Sequence, residues 1–254
     1  MAKYSLCIEP VLPEVDFYDR IAIAAELGFD AIEFWDPKGK DIPRIARLAS
    51  RHHIPVSICG MLDGWANCVD APSGKFVDSA RRTAELAGDL DCHSMIALTG
   101  QAGQSGLDSA AQKAALVENL KRAAEVVEPL GITLCVEALN TFVDHAGYFL
   151  NSSRLGFEVV REVGSPFVTL LYDIYHMQIM EGNVIATIDK NVSAIGHFHS
   201  AGVPGRHELF NNELDYHTIV KAVDAAGYGR YFGLEYWPTY DSRQSLADTL
   251  KYLQ

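Results

Sequence analysis

Apolar and polar positions along the chain fall into two alternating rhythms. Short apolar runs rich in β-branched and aromatic residues occupy residues 4–8, 31–35 (AIEFW), 55–60 (PVSICG), 93–99 (HSMIALT), 133–140 (TLCVEALN), 168–173, 194–199 and 231–235. Between them, apolar residues recur at helical spacing, as in Phe17, Ile21, Ala24, Ala25 and Leu27, or Ala111, Ala115, Leu116, Leu120, Ala123, Ala124 and Val127. Glycines follow several of these stripes, Gly28 and Gly164 among them, and Ser152 or Ser153 is placed to cap the helix before Gly164. Helices are further predicted around residues 42–49, 75–87, 184–188, 216–226 and 242–253. The stretch just after residue 173 is less regular.

Eight strand-helix units whose strands suit burial on both faces predict an α/β fold: a parallel sheet closed into a single (β/α)8 TIM barrel over residues 1–254. An open doubly wound sheet is the runner-up. It lacks its usual nucleotide loop, because no GxGxxG follows the first strand and no GxxxxGK[ST] occurs anywhere. No charge run, low-complexity tract or Pro/Ser-rich linker divides the chain, so one domain is expected.

Composition narrows the function classes. With 48% apolar residues the chain can bury a large core, and its net charge of −12 opposes phosphate backbones and acidic membrane surfaces. A small-molecule partner is the better expectation, with no nucleic acid and no membrane. The five cysteines form no close CxxC pair, which argues against a disulfide framework or zinc knuckle; Cys7, Cys59 and Cys135 read as small core hydrophobes. The opening MAKYSLCIEP has no signal-like apolar run, and no run reaches the length of a membrane span, so a cytoplasmic location is expected.

Four of the apolar runs carry a metal-type residue at or near their C-terminal end: Glu137, Asp173, His199 and Glu235, at successive intervals of 36, 26 and 36 residues. In a parallel barrel all strand ends meet on one face, so these four converge. Taken singly, each reads as a solvated loop contact or a helix cap. Together, three carboxylates and an imidazole suit one divalent metal ion, manganese or magnesium ahead of cobalt, zinc or iron.

The same region carries a family resemblance. EALNT (137–141), GYFLN (147–151), YDIYHMQIMEGN (172–183), HFH (197–199), PGRHE (204–208), ELDY (213–216) and GLEYWP (233–238) resemble the hydroxypyruvate isomerase family, within the xylose-isomerase-like barrels that also include ketose 3-epimerases. The match is dense over residues 132–238 and thinner before, where GFDAIEFW (28–35) is the clearest piece. The resemblance implies that Glu137 and Glu235 are both metal ligands and the catalytic proton-transferring pair. It implies that Asp173 and His199 complete the metal shell, and that His176 and Arg206 hold substrate oxygens. Glu208 is a weaker candidate, with a loop salt bridge as its plain alternative.

The chain departs from the family after RHE, where Leu209, Phe210, Asn211, Asn212 and Glu213 replace a glycine-containing segment, so Phe210 is expected to reshape the substrate side. Trp65, in MLDGWANC (61–68), is a candidate to cover a sugar, or simply a packed loop residue.

The resemblance implies a metal-dependent isomerase of a small hydroxy-carbonyl substrate, hydroxypyruvate or a related short sugar, working by enediolate proton transfer. A ketose 3-epimerase is the near alternative, because the chain supplies both glutamates. A non-catalytic sugar-binding barrel is an alternative of another class. A nuclease fits poorly, since the third and fourth strands end without histidine. Family precedent suggests a homo-oligomer, though no surface stripe shows one.

Overall fold

Eight parallel strands close on themselves in chain order, β1 through β8, with β1 hydrogen-bonded to β8. The computed structural model describes residues 2–64, 74–102 and 106–254. Its elements run β1 (Lys3–Cys7), α1 (Asp19–Leu27), β2 (Ala31–Phe34), α2 (Ile42–Arg51), β3 (Val56–Gly60), α3 (Gly74–Asp89), β4 (Ser94–Ala97) and α4 (Ser109–Val127). They continue β5 (Thr133–Glu137), α5 (Ser153–Val163), β6 (Val168–Asp173), α6 (Ile174–Met180), α7 (Val184–Asn191), β7 (Ile195–Ser200), α8 (Tyr216–Ala225), β8 (Tyr231–Leu234) and α9 (Ser242–Leu253). This is the (β/α)8 barrel expected from the sequence.

Local chemistry sets the boundaries. Asp41, Asp108, Ser152 and Asp241 each accept a hydrogen bond from a backbone N–H in the first turn of α2, α4, α5 and α9. Gly28 and Gly164 end α1 and α5 in the left-handed conformation. Strand β5 stops at Glu137, short of the apolar run's end at 140. There the backbone leaves the sheet: Leu139 N–H donates to the Leu150 carbonyl at 3.0 Å and Asn140 N–H to His176 Nδ1 at 3.2 Å.

The main core lies between the strands and the helices, and Phe198 is central to one side of it. Its ring meets Tyr228, Phe232 and Tyr172 at centroid separations of 4.7, 5.7 and 6.1 Å. Inside the barrel the layering is uneven. Ile58, Ile96, Cys135 and Leu171 from β3–β6 form a small apolar cluster. The β1, β2, β7 and β8 side instead buries Ser5, Glu33, His197 and His199, with Ser57 beside them.

Two bulges shape that polar side. Pairing steps from Val56 to Ile58 opposite Ile32 and Glu33, and from Ile195 to His197 opposite Leu170 and Leu171, leaving Ser57 and Gly196 as extra residues. Cys7, Cys59, Cys92 and Cys135 are buried free thiols, as small core hydrophobes should be; Cys68 lies outside the described residues. Among the described residues no helix is long and apolar enough to cross a membrane.

Candidate metal centre and active-site pocket

The ends of β5, β6, β7 and β8 bring Glu137, Asp173, His199 and Glu235 together, each buried. One ligand-type atom from each lies within 4.8 Å of the others. Alternation along each strand explains the convergence. On β7, His197 and His199 point into the barrel while Phe198 between them packs outward. Glu235 follows directly after β8, and its N–H still donates to the Ser200 carbonyl at 3.0 Å, so it extends the ladder by one residue.

His199 Nδ1 sits 3.1 Å from Glu235 Oε2 and 3.5 Å from Glu137 Oε1, yet makes no in-line hydrogen bond. A buried nitrogen without a partner, facing carboxylate oxygens, fits a divalent cation: such an ion would take the imidazole lone pair and offset the repulsion among three acids. That repulsion is visible in the protonation behaviour. Burial, reinforced by the charges of Glu235 and Glu137, pushes the Asp173 carboxyl up to about 7 against the pull of Arg206 and His199. Burial also works against ionised Glu235, but Arg206 and His199 overrule it and hold that carboxyl down to about 2. Burial opposes the charged form of His199, yet Glu235 and Glu33 drive its pKa well above the usual imidazole value.

Asp173 has two tasks. Its Oδ1 caps α6, accepting from Tyr175 N–H at 2.8 Å and His176 N–H at 3.3 Å, while Oδ2 faces Arg206 and His176, each at 3.4 Å. The irregular stretch after residue 173 is therefore a seven-residue helix whose cap is a candidate metal ligand.

His176 has a defined tautomer. Asn140 Oδ1 accepts from the backbone N–H groups of Val143 and Asp144, so its Nδ2 is the atom facing His176 Nδ1, at 2.7 Å. With the Asn140 backbone N–H also donating there, Nδ1 is an acceptor and Nε2 carries the proton. Burial and the Arg206 charge keep this ring neutral, its pKa well below the ordinary range. The Nε2–H is buried beside the carboxylates, without a hydrogen-bond partner among the described residues.

Arg206, in the left-handed conformation, ion-pairs with Glu235 and lies 3.4 Å from Asp173 Oδ2; its guanidinium carbon is 5.1 and 5.2 Å from the Trp237 and Tyr175 ring centroids. These groups open onto a cavity of about 240 Å³. Its polar wall is Asp36, Glu137, His145, His176, Arg206 and Glu235, and its apolar side includes Trp35, Met61, Ile96, Leu98, Leu139 and Trp237. Arg206 is the sole lysine or arginine among the described lining residues, and residues 65–73 and 103–105 contain neither.

Two expectations require correction. Glu208 does not line this cavity. Its carboxylate accepts from Thr239 N–H, Thr239 Oγ1 and Ser245 Oγ at 2.7–2.9 Å, tying the loop after β7 to the segment around α9 rather than forming a salt bridge. Phe210 is also elsewhere: the loop turns it against Tyr252 of α9, at 5.9 Å, in a separate surface groove with Asn211 and Lys251. Trp65 lies outside the described residues, although Gly64 reaches the cavity edge.

Sequence reasoning did not single out Glu33, Trp35, Trp237 or His145. Trp35 Nε1–H donates to Glu235 Oε1, and the two tryptophan rings lie 6.0 Å apart. A glutamate inside an apolar strand run, at Glu33, was the available signal for the first of these.

A family model described as xylose isomerase-like TIM barrel matches residues 21–254. The chain belongs to that family. Among curated members, it is 30% identical to 2-oxo-tetronate isomerase of Cupriavidus necator, covering 100% of this chain and 99% of the relative. It is also 30% identical to hydroxypyruvate isomerase of Escherichia coli, covering 94% of each. A solved structure named AP endonuclease, family 2, from Brucella melitensis superposes with a TM-score of 0.93 at 32% identity, over 99% of both chains. A D-psicose 3-epimerase crystallised in the presence of D-fructose, at 23% identity and a TM-score of 0.83 over 100% of this chain and 99% of its own, shares the fold.

Proposed function

We propose that the protein is a metal-dependent isomerase that moves a proton between neighbouring carbons of a short hydroxy-carbonyl compound, of the class of hydroxypyruvate or 2-oxo-tetronate. The observation that carries this reading is the convergence of Glu137, Asp173, His199 and Glu235 around an unpartnered imidazole nitrogen at one end of a small cavity. Full-length relatives named as isomerases of such compounds support it.

Glu137, Asp173, His199 and Glu235 would hold one divalent ion, manganese or magnesium by ligand type. When bound, it supplies the Lewis-acid charge that an enediolate needs. The remaining chemistry belongs to the chain. Glu235, kept ionised by Arg206 and His199, and Glu137 are the two carboxylates able to take a carbon-bound proton and return it. His176 offers its Nε2–H to a substrate oxygen, and Arg206 stands beside Glu235 as a second donor. The tryptophan and aliphatic side of the cavity would displace water from around a bound substrate, which strengthens each of these contacts.

Incubation of metal-loaded protein with hydroxypyruvate, 2-oxo-tetronate and neutral trioses to hexoses in heavy water tests the reading. Deuterium at C2 or C3 of the oxo acids, whose C1 is a carboxyl carbon without hydrogen, or at C1 or C2 of a sugar is the expected result, and no incorporation into any compound refutes it. Deuterium at C3 of a ketose assigns the two glutamates to epimerisation instead. The name given to the Brucella protein raises nuclease activity, but β3 and β4 end at Gly60 and Ala97 without a histidine, and a net charge of −12 opposes a nucleic acid backbone.

A further inference from the structure

A second cluster of metal-type side chains, Glu33, His197 and His199, lies against the proposed metal centre and shares His199 with it. Part of it is already closed by hydrogen bonds. Glu33 Oε2 is 2.7 Å from His197 Nε2 and accepts from Ser57 Oγ at 3.2 Å, and Oε1 is 3.0 Å from His199 Nε2. Oε2 is thus already satisfied by hydrogen bonds of ordinary length to His197 and Ser57. Glu33 Oε1 and His199 Nε2 are both buried and out of line for a straight hydrogen bond, and neither has another hydrogen-bond partner among the described residues.

The requirement comes from the other side of the ring. His199 turns Nδ1 toward Glu137 and Glu235, so ligation there needs Nδ1 bare and the single proton of the neutral ring on Nε2. A carboxylate at Nε2 selects that tautomer, fixes the ring's angle and raises the basicity of the ligating nitrogen. The surrounding residues make room for it. A Cβ on Gly233 would lie 2.6 Å from Glu33 Oε1 and 2.8 Å from His199 Cδ2. Ser57, extra residue of the β3 bulge, bonds to Ser5 Oγ at 2.6 Å and holds Glu33 from below.

We infer that Glu33 is a positioning residue: it fixes His199 as the Nε2-protonated tautomer and thereby sets the metal affinity of the site, with His197 and Ser57 anchoring its second oxygen. This rests on the reading of Glu137, Asp173, His199 and Glu235 as a metal centre.

The experiment compares wild type, Glu33→Gln, Glu33→Ala and, as a control for lost stability away from the site, Glu208→Ala. Calorimetric titration with Mn²⁺ and Mg²⁺ gives affinity and stoichiometry, and long-range ¹H–¹⁵N spectra of the metal-free proteins, at a pH where the His199 ring is neutral, give its tautomer. One ion per chain and an Nε2-protonated His199 are expected in wild type. Metal affinity should fall about 10- to 100-fold in Glu33→Ala and by less in Glu33→Gln, with the tautomer no longer unique, while Glu208→Ala keeps both properties. Wild-type affinity and tautomer in folded Glu33→Gln overturn the inference and leave the metal centre standing. Two ions per chain, one of them lost in Glu33→Ala, also overturn it by making Glu33 a ligand. Absence of metal binding in wild type brings down the metal centre and this inference together.

Discussion

Asp173 provides the sharpest test of the electrostatics. In the metal-free protein its carboxyl is raised from 3.8 to about 7, so between those values the folded state holds a proton that the unfolded state has lost. A raised carboxyl favours folding at the acid end, and that advantage disappears as pH rises through the window. About three pH units at 1.36 kcal/mol each give a contribution of up to about 4 kcal/mol, complete near pH 7. Buried neutral His176 acts oppositely below the ordinary imidazole value, so raw stability curves mix the two. Asp173→Asn isolates the effect because an asparagine oxygen can still cap α6. Urea unfolding of chelator-treated wild type and Asp173→Asn from pH 4.5 to 8 should give curves that diverge up to about pH 7 and then run parallel, wild type losing stability relative to the variant. Since binding requires ionised ligands, Mn²⁺ affinity should also fall below pH 7 by up to roughly a hundredfold per pH unit, a decade each for the protons on Asp173 and His199. Parallel stability curves, or an Mn²⁺ affinity that is the same at pH 5.5 and 7.5, refute this account.

Three further outcomes follow from the geometry. Glu137→Gln and Glu235→Gln should each lower turnover by roughly 10²- to 10⁴-fold in the deuterium-exchange assay; retained turnover in either removes it from the proton-transferring pair, whereas a purely sugar-binding barrel would show none to lose. Phe198→Ala should destabilise the protein by about 3–5 kcal/mol in chemical denaturation, since its ring lies among Tyr172, Tyr228 and Phe232; a loss below about 1 kcal/mol contradicts that packing. Gly233→Ala should weaken Mn²⁺ binding measured by titration and cost about 1–3 kcal/mol of stability, because its Cβ meets Glu33, the Phe198 carbonyl and His199 within 2.8 Å; unchanged binding would show that this corner yields freely.

The four metal-type residues were legible in the sequence because they need only one geometric fact, that the C-terminal ends of parallel strands share a face. Glu33 needs more: its partners stand on β7, across the barrel interior, and its contact with Ser57 depends on a bulge that pattern alone does not reveal. Phe210 shows the reverse error. It stands only four positions after Arg206, but Arg206 takes a left-handed backbone and the loop sends one side chain into the cavity and the other to α9. Helix α6 was hidden for a third reason. Its seven residues are too few for a periodic signal, and its cap, Asp173, sits at the end of an apolar strand run, where a carboxylate points to a ligand rather than to a helix start.

Those two roles of Asp173 belong to one electrostatic design. Without metal, the buried acids Glu33, Glu137, Asp173 and Glu235 face two cationic groups, the Arg206 guanidinium and the proton-retaining ring of His199. Two positive charges against four negative ones leave a deficit, and Asp173 relieves part of it by keeping its own proton to about pH 7. A divalent ion at this point would displace the proton on His199 Nδ1 and any on Asp173, putting two positive charges where protons had been. Arg206 would remain beside Glu235 throughout, and Glu33 would keep hold of the opposite edge of the imidazole. On this account the site is prepared for metal by protons standing in the same positions, which lets a cluster of four acids remain folded in a barrel interior before any ion arrives.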